Sequence, residues 1–208
     1  LPDSQIEAIR TSCEKLFSDL HFNVYARIDG FVREDGTILL NDPNTTSGMM
    51  PSSFFFHQAA EIGMNPSQFI TYILRTSLRS RISDFKQYGK VNMLLRRLDQ
   101  LIDNNRKQEK TKVRAAVILG GYSSERHISV ESGRNIYEKL SSSDKYDVMP
   151  VFLSGSSNAH ELYTIPINIL LKDNADDIRE KIEHFEIHPI ISRIIEQCGG
   201  LTQRFASS

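Results

Sequence analysis

The dipeptide Asp35-Gly36, set between two apolar-rich runs, limits what residues 25–44 can form more than any other feature of the chain. Asp-Gly is favoured in two-residue hairpin turns, where both positions take positive φ, so the stretch reads as a β-hairpin. With Asp35 and Gly36 as the loop, cross-strand partners carry numbers that sum to 71. Phe31 then faces Leu40, Asp29 faces Asp42 and Arg27 faces Asn44. Side chains alternate with a period of two, which places Arg27, Asp29, Asp42 and Asn44 on one face.

Two carboxylates directly opposite each other repel and weaken the pair, unless a cation sits between them. Asp29, Asp42 and Asn44 offer only oxygen ligands, which suits a hard cation such as Mg2+ rather than zinc. The next turn, Thr45-Thr46-Ser47-Gly48, is rich in hydroxyls and backbone N–H groups. Such groups hold the oxygens of an anionic substrate or a developing oxyanion. On spacing alone a plainer alternative stays open, an edge hairpin whose acids face water.

The run R-x-D at Arg27 to Asp29, the thirteen residues from Asp29 to Asp42, and then D-P-N-T-T-S-G-M-M-P-S-S resemble the end of the ATP-grasp domain in D-alanine–D-alanine ligases. That family typically shows R-x-D, then E-x-N-T-x-P-G and a serine a few residues on. The resemblance implies Asp29, Asp42 and Asn44 as Mg2+ ligands, with two ions in the complete enzyme. It implies Arg27 and the Gly48 N–H as stabilisers of a tetrahedral intermediate, and Ser53 as the contact for the carboxylate of a D-alanine. Two residues depart from the pattern: Asp42 stands where the family usually has Glu, and Ser47 replaces the usual proline. These departures motivate an alternative reading, a degenerate ligase-like module with a structural or regulatory binding role.

A net charge of -1 with 25% charged and 39% hydrophobic residues gives no overall pull toward nucleic acid or anionic lipid. No run approaches the length of a membrane span and no signal peptide opens the chain, so a cytoplasmic protein is expected. Leu rather than Met stands first, as expected of a piece of a longer protein. Cys13 and Cys198 both lie in amphipathic helical patterns and read as buried thiols rather than a disulfide.

Residues 4 to 20 read as a helix opened by a Ser4/Glu7 capping box, with Ile6, Ile9, Cys13, Phe17 and Leu20 on the face that covers the hairpin. A short helix from Phe54 to Ile62 ends at Gly63, and its phenylalanines and His57 read as packing residues. Asn65-Pro66 caps a longer helix whose buried side carries Phe69, Ile73, Leu78, Ile82 and Phe85. Residues 75 to 114 hold twelve Lys or Arg against four Asp or Glu, a surplus of eight. Val91, Leu94, Leu98 and Leu101 start a further helix there, and Asn104 to Lys112 reads as an exposed connector. A basic helix can touch nucleic acid, but without aromatic interleaving a solvated linker is the expectation.

Val113 begins a second unit. VRAAVILGG is a continuous apolar strand ending in two glycines, as in a parallel strand covered on both faces. A helix from about Ser129 to Leu140 and a strand over residues 146–153 complete a β-α-β unit of Rossmann-like kind. Neither G-x-G-x-x-G nor G-x-x-x-x-G-K is present, so this unit carries no nucleotide signature. A-V-I-L-G-G-Y-S-S-E-R-H-I-S-V-E-S-G-R resembles the opening of the same ligases, and the resemblance implies that Glu125 holds the ammonium of the first D-alanine while Ser129 caps the helix. Downstream, ELYTIPINILL is expected as a strand, Asp173 to Phe185 as a helix with Ile178, Ile182 and Phe185 inward, and Pro189 as the start of a last helix ended by Gly199-Gly200. His184 and His188 have metal-binding spacing, but Pro189 disfavours one helix through both.

The expected organisation is therefore α/β. Residues 1–88 are an α+β C-terminal portion of an ATP-grasp domain with an antiparallel hairpin. Residues 89–112 are a basic helical linker, and 113–208 a Rossmann-like, parallel pre-ATP-grasp domain. In ligases of this family the glycine-loop domain comes first, so the reversed order here implies the tail of one unit running into the head of a second, with circular permutation as the rarer arrangement. No segment resembles the central nucleotide cradle. The resemblance thus implies part of an ATP-dependent ligase of peptidoglycan precursor synthesis that uses ATP, Mg2+ and D-alanine. Such a piece is expected to be inactive alone, with no membrane partner, nucleic acid disfavoured and a homo-oligomer left open.

Overall fold

The structure is a computed structural model that describes residues 1–46, 48–49, 53–82, 88–108, 111–172, 174–184 and 187–205. The chain divides into two compact units, Leu1–Met49 with Ile73–Arg96, and Met50–Tyr72 with Arg97–Ser208.

In the first unit, helix α1 (Asp3–Asp19) starts two residues earlier than the capping box would place it. The Pro2 carbonyl accepts from Gln5 and Ile6, and Asp3 lies in the first turn, where the helix dipole favours an acid. Ser4 is consequently inside the helix and is not its cap. At the other end, Phe22 N–H bonds to Phe17 O and His21 N–H to Ser18 O, a Schellman closure with His21 at φ 53 in place of glycine. Phe17 and Phe22 meet edge-on at 5.9 Å, the apolar contact that accompanies this motif. Ile6, Ile9, Cys13 and Phe17 are half-buried and α1 lies against strand β2 (Ile38–Asn44), but Leu20 is exposed. Burial pushes the Cys13 thiol above its ordinary pKa, and Cys13 and Cys198 are both free. β2 pairs antiparallel with β1 (Arg27–Val32).

In the second unit, helix α2 (Phe54–Glu61) closes on Gly63 at φ 80, with Met64 N–H bonding to Ala59 O and Gly63 N–H to Ala60 O. Phe55 and Phe56 are buried and meet Phe69 at 4.7 and 6.2 Å, whereas Phe54 is exposed. Helix α3 (Pro66–Ser80), which belongs to the second unit only as far as Tyr72, opens with a reciprocal box, Asn65 Oδ1 accepting from Gln68 N–H and Gln68 Oε1 accepting from Asn65 N–H. The N-x-x-Q spacing was a readable signal for it. α3 ends before Ile82, and Phe85 lies outside the described residues. Helix α4 (Tyr88–Gln108), whose residues up to Arg96 belong to the first unit, runs on through most of the expected connector. Its buried stripe is Val91, Leu95 and Ile102, while Leu94 and Leu101 face outward. Among the described residues no helix is long and apolar enough to cross a membrane.

Strand β3 (Val113–Gly120) pairs in parallel with β4 (Tyr146–Gly155) across helix α5 (Arg126–Ser141), as the β-α-β reading expects. The third strand corrects it. β5 (His160–Thr164) is antiparallel to β4, and the sheet, ordered β3-β4-β5, is mixed rather than parallel. The cause is the tight connection. Gly155 at φ 107 and the Ser156 N–H bond to Ala159 O turn the chain back at once, whereas a parallel return needs a crossover of about a dozen residues or more. Of the expected strand over residues 161–171, only 161–164 lie in β5; after Pro166 the chain forms helix α6 (Ile167–Lys172). α7 (Ala175–Glu183) is capped by Asn174, and α8 (Pro189–Gln197) by His188, so His184 and His188 share no helix. The helix opened by Pro189 does stop at Gln197, just before Gly199-Gly200, but it is not the last, because these glycines begin α9 (Gly199–Phe205).

The core of this unit is Val117, Leu119, Val130, Tyr137, Phe152, Ile165, Ile169, Leu170, Ala175 and Ile178. Each large side chain among these contributes about 1.5–3 kcal/mol by burial. Gly133 allows α5 to press onto β3, since a Cβ there would lie 2.6 Å from Leu119 Cβ. α2 packs on α6, and Asn168 Nδ2 donates to Glu61 Oε2 at 3.0 Å.

Candidate functional site

The hairpin reaches its final register by two departures that cancel. Arg33 N–H bonds to Thr37 O and Gly36 N–H to Arg33 O, so the loop has three residues, Glu34 to Gly36, and only Gly36 takes positive φ (83°). Asp35 keeps negative φ because its Oδ1 accepts from Thr37 N–H at 2.9 Å, a bond that also lowers the Asp35 pKa. The longer loop slips the upper strands by one residue. Val32 pairs with Ile38, Phe31 with Leu39, and Asp29 with Asn41 rather than Asp42. A bulge then restores the expected pairing of Arg27 with Asn44, Asp42 and Pro43 together standing opposite Ile28. Asp42 sits in this bulge at φ 47, a conformation that Asp accepts more readily than most residues. That local demand gives a physical reason for the shorter acid at this position. Pro43 is tolerated for the same reason, because a bulge does not need its N–H.

Although Asp29 and Asp42 are not direct cross-strand partners, the bulge returns them to one surface. Arg27 Nη2 lies 3.3 Å from Asp29 Oδ2 and 4.0 Å from Asp42 Oδ2. Asn44 Nδ2 donates to Asp42 Oδ2 at 3.0 Å and to the Asp42 carbonyl at 3.1 Å. One guanidinium therefore rests on both carboxylates and offsets their repulsion. The pairs are half-exposed, so their net contribution to folding is of the order of 0–1 kcal/mol. Arg27 Nε is buried with no hydrogen-bond partner among the described residues, a donor unused by the fold. Just upstream, Val24 is held at φ 69 by a Tyr25 N–H bond to Asn23 O, a costly position for a β-branched residue that sets how the chain enters β1.

Two carboxylates, an amide and a nearby cation form a donor set suited to a hard divalent ion. Among the described residues no three His, Cys, Asp or Glu side chains converge, so any metal here would take two carboxylates and rely on Asn44 or external oxygens for the rest.

The other expected site residues lie on separate elements. Gly48 is exposed beyond β2, with nothing within 4 Å of where a side chain would start; its neighbour Ser47 is outside the described residues. Ser53 belongs to the second unit and precedes α2 in extended conformation, yet its side chain makes no cap bond. Its Oγ is buried without a partner among the described residues, while its carbonyl accepts from Phe56 and His57. Glu125 stands at the N-cap of α5 with an exposed side chain that makes no cap bond. Ser129 is not the cap: its Oγ accepts from Gly120 N–H at 3.1 Å and ties the glycine turn to the first turn of α5.

Arg126 fixes this loop by contacts that no local pattern reveals. Its Nε and Nη2 donate to Asp176 Oδ1 and Oδ2 at 2.8 and 3.0 Å, and its Nη1 donates to Ser123 O at 3.3 Å. The fork spans fifty residues of chain, and His127 Nε2 adds a contact to Asp176 Oδ2 at 3.3 Å. Arg126 above all holds the Asp176 carboxyl below its ordinary pKa. A folded-state pKa that is depressed gives stability present above the unfolded value and lost as pH falls through the lowered one. An Arg126→Gln variant is expected to return the Asp176 midpoint toward the ordinary carboxylate range, read by carboxyl NMR titration. An unchanged midpoint would show that the fork does not form.

Comparison with known proteins followed these same two segments. Residues 1–75 match the family model described as D-ala D-ala ligase C-terminus, and residues 114–190 the one described as D-ala D-ala ligase N-terminus. A D-alanine--D-alanine ligase of Tolumonas auensis is 40% identical over 79 residues, covering 38% of this chain and 24% of that protein. The corresponding protein of Vibrio campbellii is 36% identical over 78 residues, covering 38% and 24%. D-alanine--D-alanine ligase B of Clostridium perfringens is 34% identical over 82 residues, covering 39% and 27%. The aligned stretch thus spans about a quarter of the length of these relatives. No solved structure matches the chain.

Proposed function

We propose, for a chain that belongs to the D-alanine–D-alanine ligase family and carries its C-terminal portion ahead of its N-terminal one, that the hairpin face of Arg27, Asp29, Asp42 and Asn44 is the metal and oxyanion side of an ATP-dependent ligase. The observation that carries this reading is the approach of Arg27 to both carboxylates at 3.3 and 4.0 Å, despite the shifted register. The order of segments supports the tail of one ligase unit joined to the head of another. In this reading residues 1–88 end an ATP-grasp domain, 89–112 link, and 113–208 begin the next unit. The parent protein would act in the cytoplasm on peptidoglycan precursors.

In the reaction proposed for the parent, ATP phosphorylates the carboxylate of one D-alanine, and the amine of a second attacks the acyl phosphate and expels phosphate. Asp29, Asp42 and Asn44 would hold Mg2+, which when bound neutralises phosphoryl charge. Arg27 keeps a fixed positive charge beside the carbonyl that turns tetrahedral, and the Gly48 N–H adds a donor to its oxyanion. Ser53 orients a D-alanine carboxylate with a hydroxyl that has no partner among the described residues, and Glu125 receives an ammonium. The exposed Glu125 side chain and the uncapping Ser53 side chain support these roles, since neither is used by its own helix.

Two measurements test the reading. Mn2+ added in place of Mg2+ is expected to broaden the NMR signals of Asp29, Asp42 and Asn44 first, and the Asp29→Asn, Asp42→Asn double variant to abolish this selectivity. Broadening that ignores the hairpin sinks the metal assignment. The purified 208-residue chain is expected to release no ADP in response to D-alanine, because it contains no nucleotide cradle recognisable in sequence. D-alanine-dependent ADP release would overturn the fragment reading.

A further inference from the structure

Glu125 stands at the end of a run of contacts that starts in the core of the second unit. Ala175 and Ile178 are buried in that core and hold α7 against it. Asp176, between them, has its N–H bonded to Asn174 Oδ1 at 2.9 Å, so its carboxylate takes a fixed place on the first turn of α7. That carboxylate receives the Arg126 fork, while Arg126 Nη1 and the Arg126 N–H both donate to Ser123 O at 3.3 Å. Ser123 Oγ in turn accepts from the Glu125 N–H at 3.2 Å. The Glu125 carboxylate itself is exposed and makes no hydrogen bond or ion pair among the described residues.

We propose that Arg126 and Asp176 are positioning residues for Glu125, a role that rests on the reading of Glu125 as an ammonium contact. The fork acts in two ways. It fixes the turn from Ser123 to Glu125 before any ligand arrives, so that binding does not have to order it. It also occupies a competing cation. Arg126 is the next residue along the chain, and a loose guanidinium there would pair with the Glu125 carboxylate in place of an ammonium. A bidentate bond to Asp176 satisfies the guanidinium fully and keeps it turned away. His127 Nε2 and Arg179 Nη2 approach the same carboxylate at 3.3 and 3.6 Å, so Asp176 gathers the basic groups around the turn and leaves Glu125 open.

The experiment is NMR titration of the full 208-residue chain with D-alanine and, separately, with D-lactate, which keeps the carboxylate but has a hydroxyl in place of the ammonium. D-alanine is expected to shift the Glu125 signals, and Glu125→Gln to remove that shift. Asp176→Asn should raise the D-alanine dissociation constant about tenfold or more, because it both loosens the turn and releases Arg126 toward Glu125. Arg126→Lys should act in the same direction, since an ammonium keeps the charge but cannot make the fork. Asp176→Glu, which retains a carboxylate, should recover most of the affinity. D-lactate binding should be the same in every variant, and thermal unfolding should move little because the pair is half-exposed. Unaltered D-alanine affinity in both Asp176→Asn and Arg126→Lys overturns the proposal and leaves Glu125 in its role. An equal loss for D-lactate overturns it as well, as the mark of general damage to the unit. A D-alanine shift that survives Glu125→Gln, or none in the unaltered chain, removes Glu125 as the ammonium contact and the positioning role with it.

Discussion

Gly120→Ala is expected to destabilise the second unit by about 2–5 kcal/mol, combining a left-handed backbone that disfavours a side chain with overpacking of the core. Gly120 has φ 91, and a Cβ there would lie 2.5 Å from Phe152 Cε2 and 3.0 Å from Leu153 O. Phe152 is buried at 2% exposure in the central strand, opposite Leu119 and Tyr163 in the sheet register, so its ring has little room to yield. Thermal unfolding should register a loss on the order of 10 °C for a unit of this size. Gly121→Ala is the natural control. Its φ is 108, but nothing lies within 4 Å of the added atom, so it should lose only the backbone part. Equal losses for the two variants would mean that the Phe152 ring is not what excludes a side chain at Gly120.

Arg27→Ala, made in a complete ligase carrying this hairpin, is expected to reduce kcat on the order of 100-fold or more, the usual consequence of removing one oxyanion donor. Arg27→Lys should recover only part of the rate, because an ammonium is a compact charge that cannot lie across two carboxylates as a guanidinium does. In the isolated chain the same Arg27→Ala change should move stability by less than about 1 kcal/mol, since the ion pairs are half-exposed. The two readouts separate chemistry from folding. An unchanged kcat would remove Arg27 from the proposed machinery, and a large stability loss would make it a structural residue instead.

Much of the architecture was legible because it rests on short-range rules. Gly63 closes α2, Pro66 opens α3 behind Asn65, and a strand, two glycines and a helix follow Val113, each dictated by φ preference or apolar periodicity within a few residues. The four hairpin residues were likewise legible as a group, and Arg27 does face Asn44. What local rules misjudged were competitions between close alternatives. An Asp35 side chain bonding to Thr37 N–H was enough to turn a two-residue loop into three and slip the register, and a bulge at Asp42 undid the slip. In α4, Leu95 and Ile102 displaced Leu94 and Leu101 from the buried face, a choice between adjacent positions that periodicity alone leaves nearly even.

The amino-acid order by itself determined most of the helices, though not α6 or α9, and which polar groups share the hairpin. Tertiary structure alone decided the service of Ser129 to the glycine turn rather than to its own helix, and the joining of Arg126 to Asp176 fifty residues away. The physical reason is range. Backbone preference and side-chain period act over a handful of residues, whereas a strand's neighbour or a guanidinium's carboxylate is selected only once the core of Leu119, Phe152 and Ile178 has brought distant segments together.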